Sequence, residues 1–199
     1  MLERMAESSP SLMARVAGVF YLLNFITGAF AAFGGGNSNL GDVANIFATA
    51  FYIVVTVLFY FLYKPVDQKR SMLAALFSMA GCTLGALRFL HLAPVPISPM
   101  VFFGFYCLLI GYLTFKSTFL PRILGVLMAL GGLGWLTYLL PSLAHSLSPY
   151  NIVPGMVGEG LLTLWLIVKG VNSQRWRQRA TAGRRTRIDK LSSPRRATE

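Results

Sequence analysis

Apolar residues in this chain gather into six runs, at positions 16–33, 43–63, 72–92, 101–115, 121–140 and 152–168, separated by short polar or proline-rich connections. About 20 residues at 1.5 Å rise cross a hydrocarbon core of roughly 30 Å, and a helix satisfies its own peptide groups where no water can. The pattern predicts an all-α fold: a polytopic transmembrane helical bundle of six spans. The fourth and fifth runs read as a hairpin about the turn KSTFLPR. In that turn Ser117 and Thr118 are N-cap types, Pro121 suits a first helical turn, and Lys116 and Arg122 add charge. The second run ends at Lys64-Pro65, where proline disfavours further helix. Residues 34–42 read as a flexible connection, and the Pro94, Pro96 and Pro99 segment as a stiff one. Gly81 and Gly85 form a GxxxG spacing, which predicts a face for close helix packing. The implied organisation is a short polar segment over 1–12, a six-helix domain over 13–171 and a tail over 172–199. The tail has few apolar side chains and is expected to be disordered.

Charge then orients the bundle. Arg4 and Arg15, then Lys64, Lys69 and Arg70, then Lys116 and Arg122, then Lys169 with the tail arginines, fall on alternate connections. Positive charge is retained on the cytoplasmic side, so both termini and both basic turns are expected there. Tyr60, Tyr63, Tyr112 and Trp165 near the inner ends, and Phe102, Phe103, Trp135 and Tyr138 near the outer ends, fit interfacial belts. A cleavable signal peptide competes for the first run, because Ala29-Phe30-Ala31 imitates a peptidase site. About 18 apolar residues exceed the usual 7–15 of such a segment, and five spans would keep the same sidedness.

Composition agrees: of 199 residues, 55% are hydrophobic and only 13% charged, more apolar surface than a soluble domain of this size buries. The net charge of +11 would suggest nucleic acid if it lay on a folded face. Much of it lies in the tail instead, at Arg175, Arg177, Arg179, Arg184, Arg185 and Arg187. Beside an anionic leaflet each cation is worth about 1 kcal/mol, so anionic lipid headgroups are the expected partner and nucleic acid is disfavoured.

The segments ARVAGVFYLLNFITGAF at 14–30, YKPVD at 63–67, FFGFYCLLIGYLTFKSTFLPRILGVLMALGGLGWL at 102–136 and GEGLLTLWLIVKGVN at 158–172 carry a family likeness. Together they resemble the bacterial family of six-span membrane proteins catalogued as domain of unknown function 4386. The resemblance covers most of 14–172, leaves out the basic tail, and implies a multi-pass protein of a bacterial cytoplasmic membrane. Tyr106 stands where members of that family often carry histidine, and the outer loops here are shorter. The resemblance brings no catalytic residue and no cofactor.

Within the spans, ionisable groups are costly, which singles out Arg88 in the third run and Glu159 in the sixth. Their depths suit an ion pair between those two helices near the outer side. Asn24 is expected to hydrogen-bond to a neighbouring helix. His91, His145, Asp42 and Glu159 share the outer half without metal-ligand spacing, so no metal is expected. Cys82 and Cys107 lie inside apolar runs, where a thiol behaves as a small hydrophobe. Two functions remain. The first is a non-enzymatic bundle, structural or partner-binding, in which Arg88, Glu159, Asn24 and His91 serve packing. The second is a small transporter or ligand-binding protein that uses Glu159 with Arg88, its ligand unknown.

Overall fold

The computed structural model describes residues 9–34, 39–92, 94 and 96–192; the side chains of 33–34 and 184–192 are outside the description. The first helix, α1, spans Pro10–Ala29 and runs into a π-turn at Phe30–Gly34. It is followed by α2 (Asn39–Tyr63), α3 (Gln68–Phe89), α4 (Pro99–Lys116) and α5 (Arg122–Leu136). A short α6 (Pro141–Leu147) leads into α7 (Val153–Val168), and α8 covers Ser173–Ser192. Among the described residues six helices are long and apolar enough to cross a membrane: α1 to α5 and α7, each with its flanking turn where it has one. The fold is therefore a polytopic transmembrane bundle, and no strand occurs among the described residues.

Each spanning helix packs on its neighbours in sequence, and α7 closes back on α1, so the six form a ring. Polarity is distributed as lipid requires. Leu76, Ile123, Leu133 and Leu164 face outward at 60%, 60%, 56% and 54% exposure, while Thr56, Ser78, Thr114, Glu159 and Thr163 are buried inside. Hydroxyl contacts stitch the interior. Thr56 on α2 and Ser78 on α3 share a hydrogen bond at 2.5 Å, and Tyr63 on α2 and Thr114 on α4 share one at 2.6 Å.

Local chemistry sets the helix ends. The Asp67 carboxylate caps α3 by accepting from the Arg70 amide at 3.0 Å and also pairs with its guanidinium at 2.6 Å. The Gly170 amide donates to the Trp165 and Leu166 carbonyls, and its φ of 65° is the left-handed value that closes α7. The KSTFLPR turn differs from expectation. Ser117 terminates α4, its amide donating to the Leu113 carbonyl and its hydroxyl to that of Thr114, and Pro121 stands one residue before α5.

The α4 and α5 backbones approach closely at two glycine pairs in antiparallel register. A Cβ on Gly111 would lie 2.7 Å from the Gly125 carbonyl oxygen, and one on Gly132 would lie 2.8 Å from that of Gly104. The expected GxxxG face is not where backbones meet. Gly81 abuts the Phe103 ring, and a Cβ on Gly85 would meet only Phe89 of its own helix, at 3.5 Å. The large Phe102 and Phe103 side chains fill the space that a close crossing there would need.

The tail also departs from expectation, since α8 is helical from Ser173 to Ser192. Asn172 opens it by accepting the Arg175 amide at 3.0 Å, and Trp176, 2% exposed, donates its indole N–H to the Leu62 carbonyl at 2.8 Å. An aromatic anchor and a run of Arg, Gln and Ala, all sound helix formers, supply what the charge pattern alone does not reveal. Residues 1–8, 35–38, 93, 95 and 193–199 lie outside the described residues; of the expected flexible connection 34–42, Asn39–Asp42 instead form the first turn of α2.

Replacing Gly111 with Leu forces the α4 and α5 backbones apart, and an overpacking cost of about 1–3 kcal/mol is expected. Gly85→Ala leaves stability unchanged or raises it by up to about 1 kcal/mol, because a helix-interior glycine is replaced where there is room. Thermal unfolding of both variants in one detergent measures the contrast.

Candidate functional site

The charged side chain buried deepest in the ring is Glu159, 6% exposed and two turns into α7. Its carboxyl is met by donors from three other helices. Tyr21 of α1 donates to Oε2 at 2.5 Å, Trp135 of α5 donates its indole N–H to Oε1 at 2.7 Å, and the Cys107 thiol of α4 approaches Oε1 at 3.6 Å. The Tyr21 hydroxyl also lies 3.4 Å from that of Tyr52, which brings α2 into the same network. The rings of Tyr21 and Tyr52 meet edge to face at 5.5 Å, and those of Tyr52 and Tyr106 at 5.7 Å.

Small residues place these groups. On α1, Ala14, Ala17, Gly18 and Tyr21 share the buried face at helical spacing, and a Cβ on Gly18 would come within 2.9 Å of Ile167. That close contact lets the Tyr21 ring reach across to α7. On α7, Gly155 lies one turn before Glu159, and a Cβ there would collide with the Trp135 indole at 2.5 Å. The absent side chain is the seat of that indole, which lies flat on α7 with its N–H directed along the helix to the carboxyl. Gly158 has a similar role toward the Leu127 carbonyl of α5. The Tyr106 hydroxyl is buried in the same interior with no hydrogen-bond partner among the described residues.

Several expected site residues do not converge here. Arg88 is exposed in the last turn of α3, and no ion pair joins it to Glu159 among the described residues. The reason is topological: α3 packs on α2 and α4, whereas α7 packs on α5 and α1, so the two helices stand apart in the ring. Arg88 instead places its cation by the carbonyl end of α3, where the helix dipole favours it. His91 is exposed just beyond that helix, 3.7 Å from Asp42 of α2, and His145 is exposed on α6, so neither approaches the carboxyl. Asn24 is half-buried, and its side chain makes no interhelical hydrogen bond among the described residues. Of the tail cations, Arg175, Arg177 and Arg179 are described on α8, while the side chains of Arg184, Arg185 and Arg187 lie outside the described residues.

Of the residues assigned to interfacial belts, Tyr63 and the half-buried Trp135 turn inward. Tyr63 is fully buried against Thr114, and Trp135 serves Glu159. Tyr21 and Cys107, which charge and spacing do not single out, supply the remaining donors. A sequence signal for Tyr21 does exist in the small-residue face that leads to it. None marks Trp135, because its role depends on a glycine in another helix.

Comparison with known proteins adds identity without activity. A family described as "Domain of unknown function (DUF4386)" matches residues 97–170, which include α4, α5 and α7 and thus Cys107, Trp135 and Glu159. A protein of Archaeoglobus fulgidus described as uncharacterized is 34% identical over 127 residues, covering 59% of this chain and 76% of that one. No solved structure matches. With its six spanning helices and these likenesses, the chain belongs to the DUF4386 family of membrane proteins.

Proposed function

We propose that this protein is a non-enzymatic membrane bundle, structural or partner-binding, in which Glu159 fastens helices together. The observation that carries this reading is the occupancy of the carboxyl. Both oxygens accept from protein donors, and those donors come from α1, α4 and α5. The basic face, bearing Arg15, Lys64, Lys69, Arg70, Lys116, Arg122 and Lys169, is the cytoplasmic one by the positive-inside rule, in a bacterial cytoplasmic membrane. Arg175, Arg177 and Arg179 of α8 extend that charge toward anionic headgroups.

A second reading takes the interior as a small ligand or proton site, with Glu159 as its acidic group. It is favoured by the buried Tyr106 hydroxyl, a polar group with no hydrogen-bond partner among the described residues. Arg88 has no part in it, since its side chain is exposed on a helix that does not pack on α7.

Glu159→Leu leaves the half-buried Trp135 indole N–H without its acceptor and Tyr21 with only its longer contact to Tyr52, at an expected cost of about 1–3 kcal/mol in all. Glu159→Gln, which keeps one acceptor oxygen, retains most of the stability. If Glu159→Gln folds normally but abolishes proton-coupled flux or a ligand-dependent rise in melting temperature, the fastening role gives way to the second reading.

Double-mutant cycles in detergent resolve the partners. Trp135→Phe with Glu159→Leu, and Tyr21→Phe with Glu159→Leu, are each expected to couple by about 0.6–2 kcal/mol. Arg88→Gln with Glu159→Gln is expected to be additive. Sidedness is checked by a single cysteine at Thr118 in a chain lacking Cys82 and Cys107. A membrane-impermeant maleimide labels it only after the cells are opened, and labelling of intact cells would reverse the orientation.

A further inference from the structure

The basic face carries a defined concavity as well as scattered charge. Lys116, Arg122 and Arg175 line a pocket of 440 Å³ together with Phe115, Ser117, Thr118 and Leu120. Its three cations come from the end of α4, the start of α5 and the first turn of α8, and no carboxylate is among its lining residues. Two of the cations are held in place. Arg175 Nη1 donates to the Thr118 carbonyl at 3.2 Å, and the Arg122 guanidinium stands over the Phe115 ring at 5.7 Å from its centre. Three like charges around one hollow repel each other, and an anion with several oxygens relieves that repulsion while accepting from the guanidinium N–H groups. The first amides of α5 lie at the same place, and Pro121 offers them no side-chain cap.

We infer that this pocket at the α4–α5 turn, closed by Arg175 of α8, is a binding site for the phosphate of one anionic phospholipid. A lipid suits the surroundings better than a free phosphate. Phe115 and Ile123, 44% and 60% exposed, lie beside the pocket on the apolar surfaces of α4 and α5, where an acyl chain leaving the headgroup would run. The volume also exceeds what a bare phosphate needs. The site rests on the reading of the chain as a membrane bundle whose basic face meets anionic headgroups, and it adds a single stoichiometric position to that diffuse attraction. An occupied pocket joins α8 to the α4–α5 turn through one bridging anion. Headgroup composition would in this way reach the helix whose Trp176 is anchored on α2.

The test is native mass spectrometry of the full chain, released from detergent after incubation with equal amounts of phosphatidylglycerol and phosphatidylcholine. One phosphatidylglycerol is expected to be retained in preference. Its retention should fall roughly tenfold or more in Lys116→Gln/Arg122→Gln, on the scale of two cations lost near an anionic headgroup. Arg179→Gln, which removes a cation outside the pocket, should leave it unchanged. Arg175→Gln, at the opposite wall of the pocket, repeats the measurement should the double variant fail to fold. Equal loss in Arg179→Gln would reduce the effect to diffuse attraction and overturn the site, as would equal retention of both lipids. Displacement by inorganic phosphate at the lipid's own concentration would reassign the pocket to a soluble phosphate compound and overturn the lipid assignment. A chain that stays dispersed without detergent would instead contradict the membrane reading itself, whatever its lipid selectivity.

Discussion

A carboxyl group enclosed by helices in a bilayer has no water to turn to, so its hydrogen-bond donors must come from the chain itself. Glu159 stands on the last spanning helix and draws on α1, α4 and α5, with α2 added through Tyr52. Interhelical hydrogen bonds in membranes contribute about 0.6–2 kcal/mol each. Their value here lies as much in specificity as in energy, because helices sliding along apolar surfaces have many near-equivalent registers and only one that satisfies the carboxyl. The bond from Tyr21 matters most for topology: it ties the first span to the last and closes the ring.

The remaining contacts follow from how helices are held where lipid removes the hydrophobic drive for association. Dispersion contacts between closely approaching backbones take its place, and these need small residues at the crossing. Gly104 with Gly132 and Gly111 with Gly125 provide them for α4 and α5, while Gly155 and Gly158 provide them for α5 and α7. One of these glycines does more than permit contact. Gly155 leaves the space that the Trp135 indole occupies, so a packing residue also determines whether the carboxyl has its donor.

The two faces of the bundle differ in kind. On the basic face, Trp176 seals the end of the ring against the Leu62 carbonyl, and cations gather around the α4–α5 turn. On the opposite face lie Arg88, the exposed His91–Asp42 pair and the short helix α6. The interior between them is nearly all apolar or paired, and the Tyr106 hydroxyl stands out against it.

Much of the fold was legible in the sequence. Six apolar runs, separated by turns with proline, glycine or charge, translate directly into spanning helices because a peptide chain in lipid must satisfy its own backbone. Glu159 stood out in the sequence for a related reason, since a charged residue within a span is costly. Its partners did not. Depth along the helices made Arg88 a plausible counterpart, but which helices adjoin is a lateral relation that one-dimensional depth does not contain, and the ring keeps α3 away from α7. The same limit explains the glycines: Gly81 packs on the Phe103 ring of α4, whereas the backbone-to-backbone contacts pair glycines of different helices, which spacing within one segment does not reveal. It explains α8 as well, whose helix is anchored by an indole that reaches another segment's carbonyl. The sequence by itself determined that the chain spans a bilayer as helices, because those demands are met within each segment. Only the tertiary structure decided which side chains meet inside the ring, because that depends on how separate segments rotate and pack against one another.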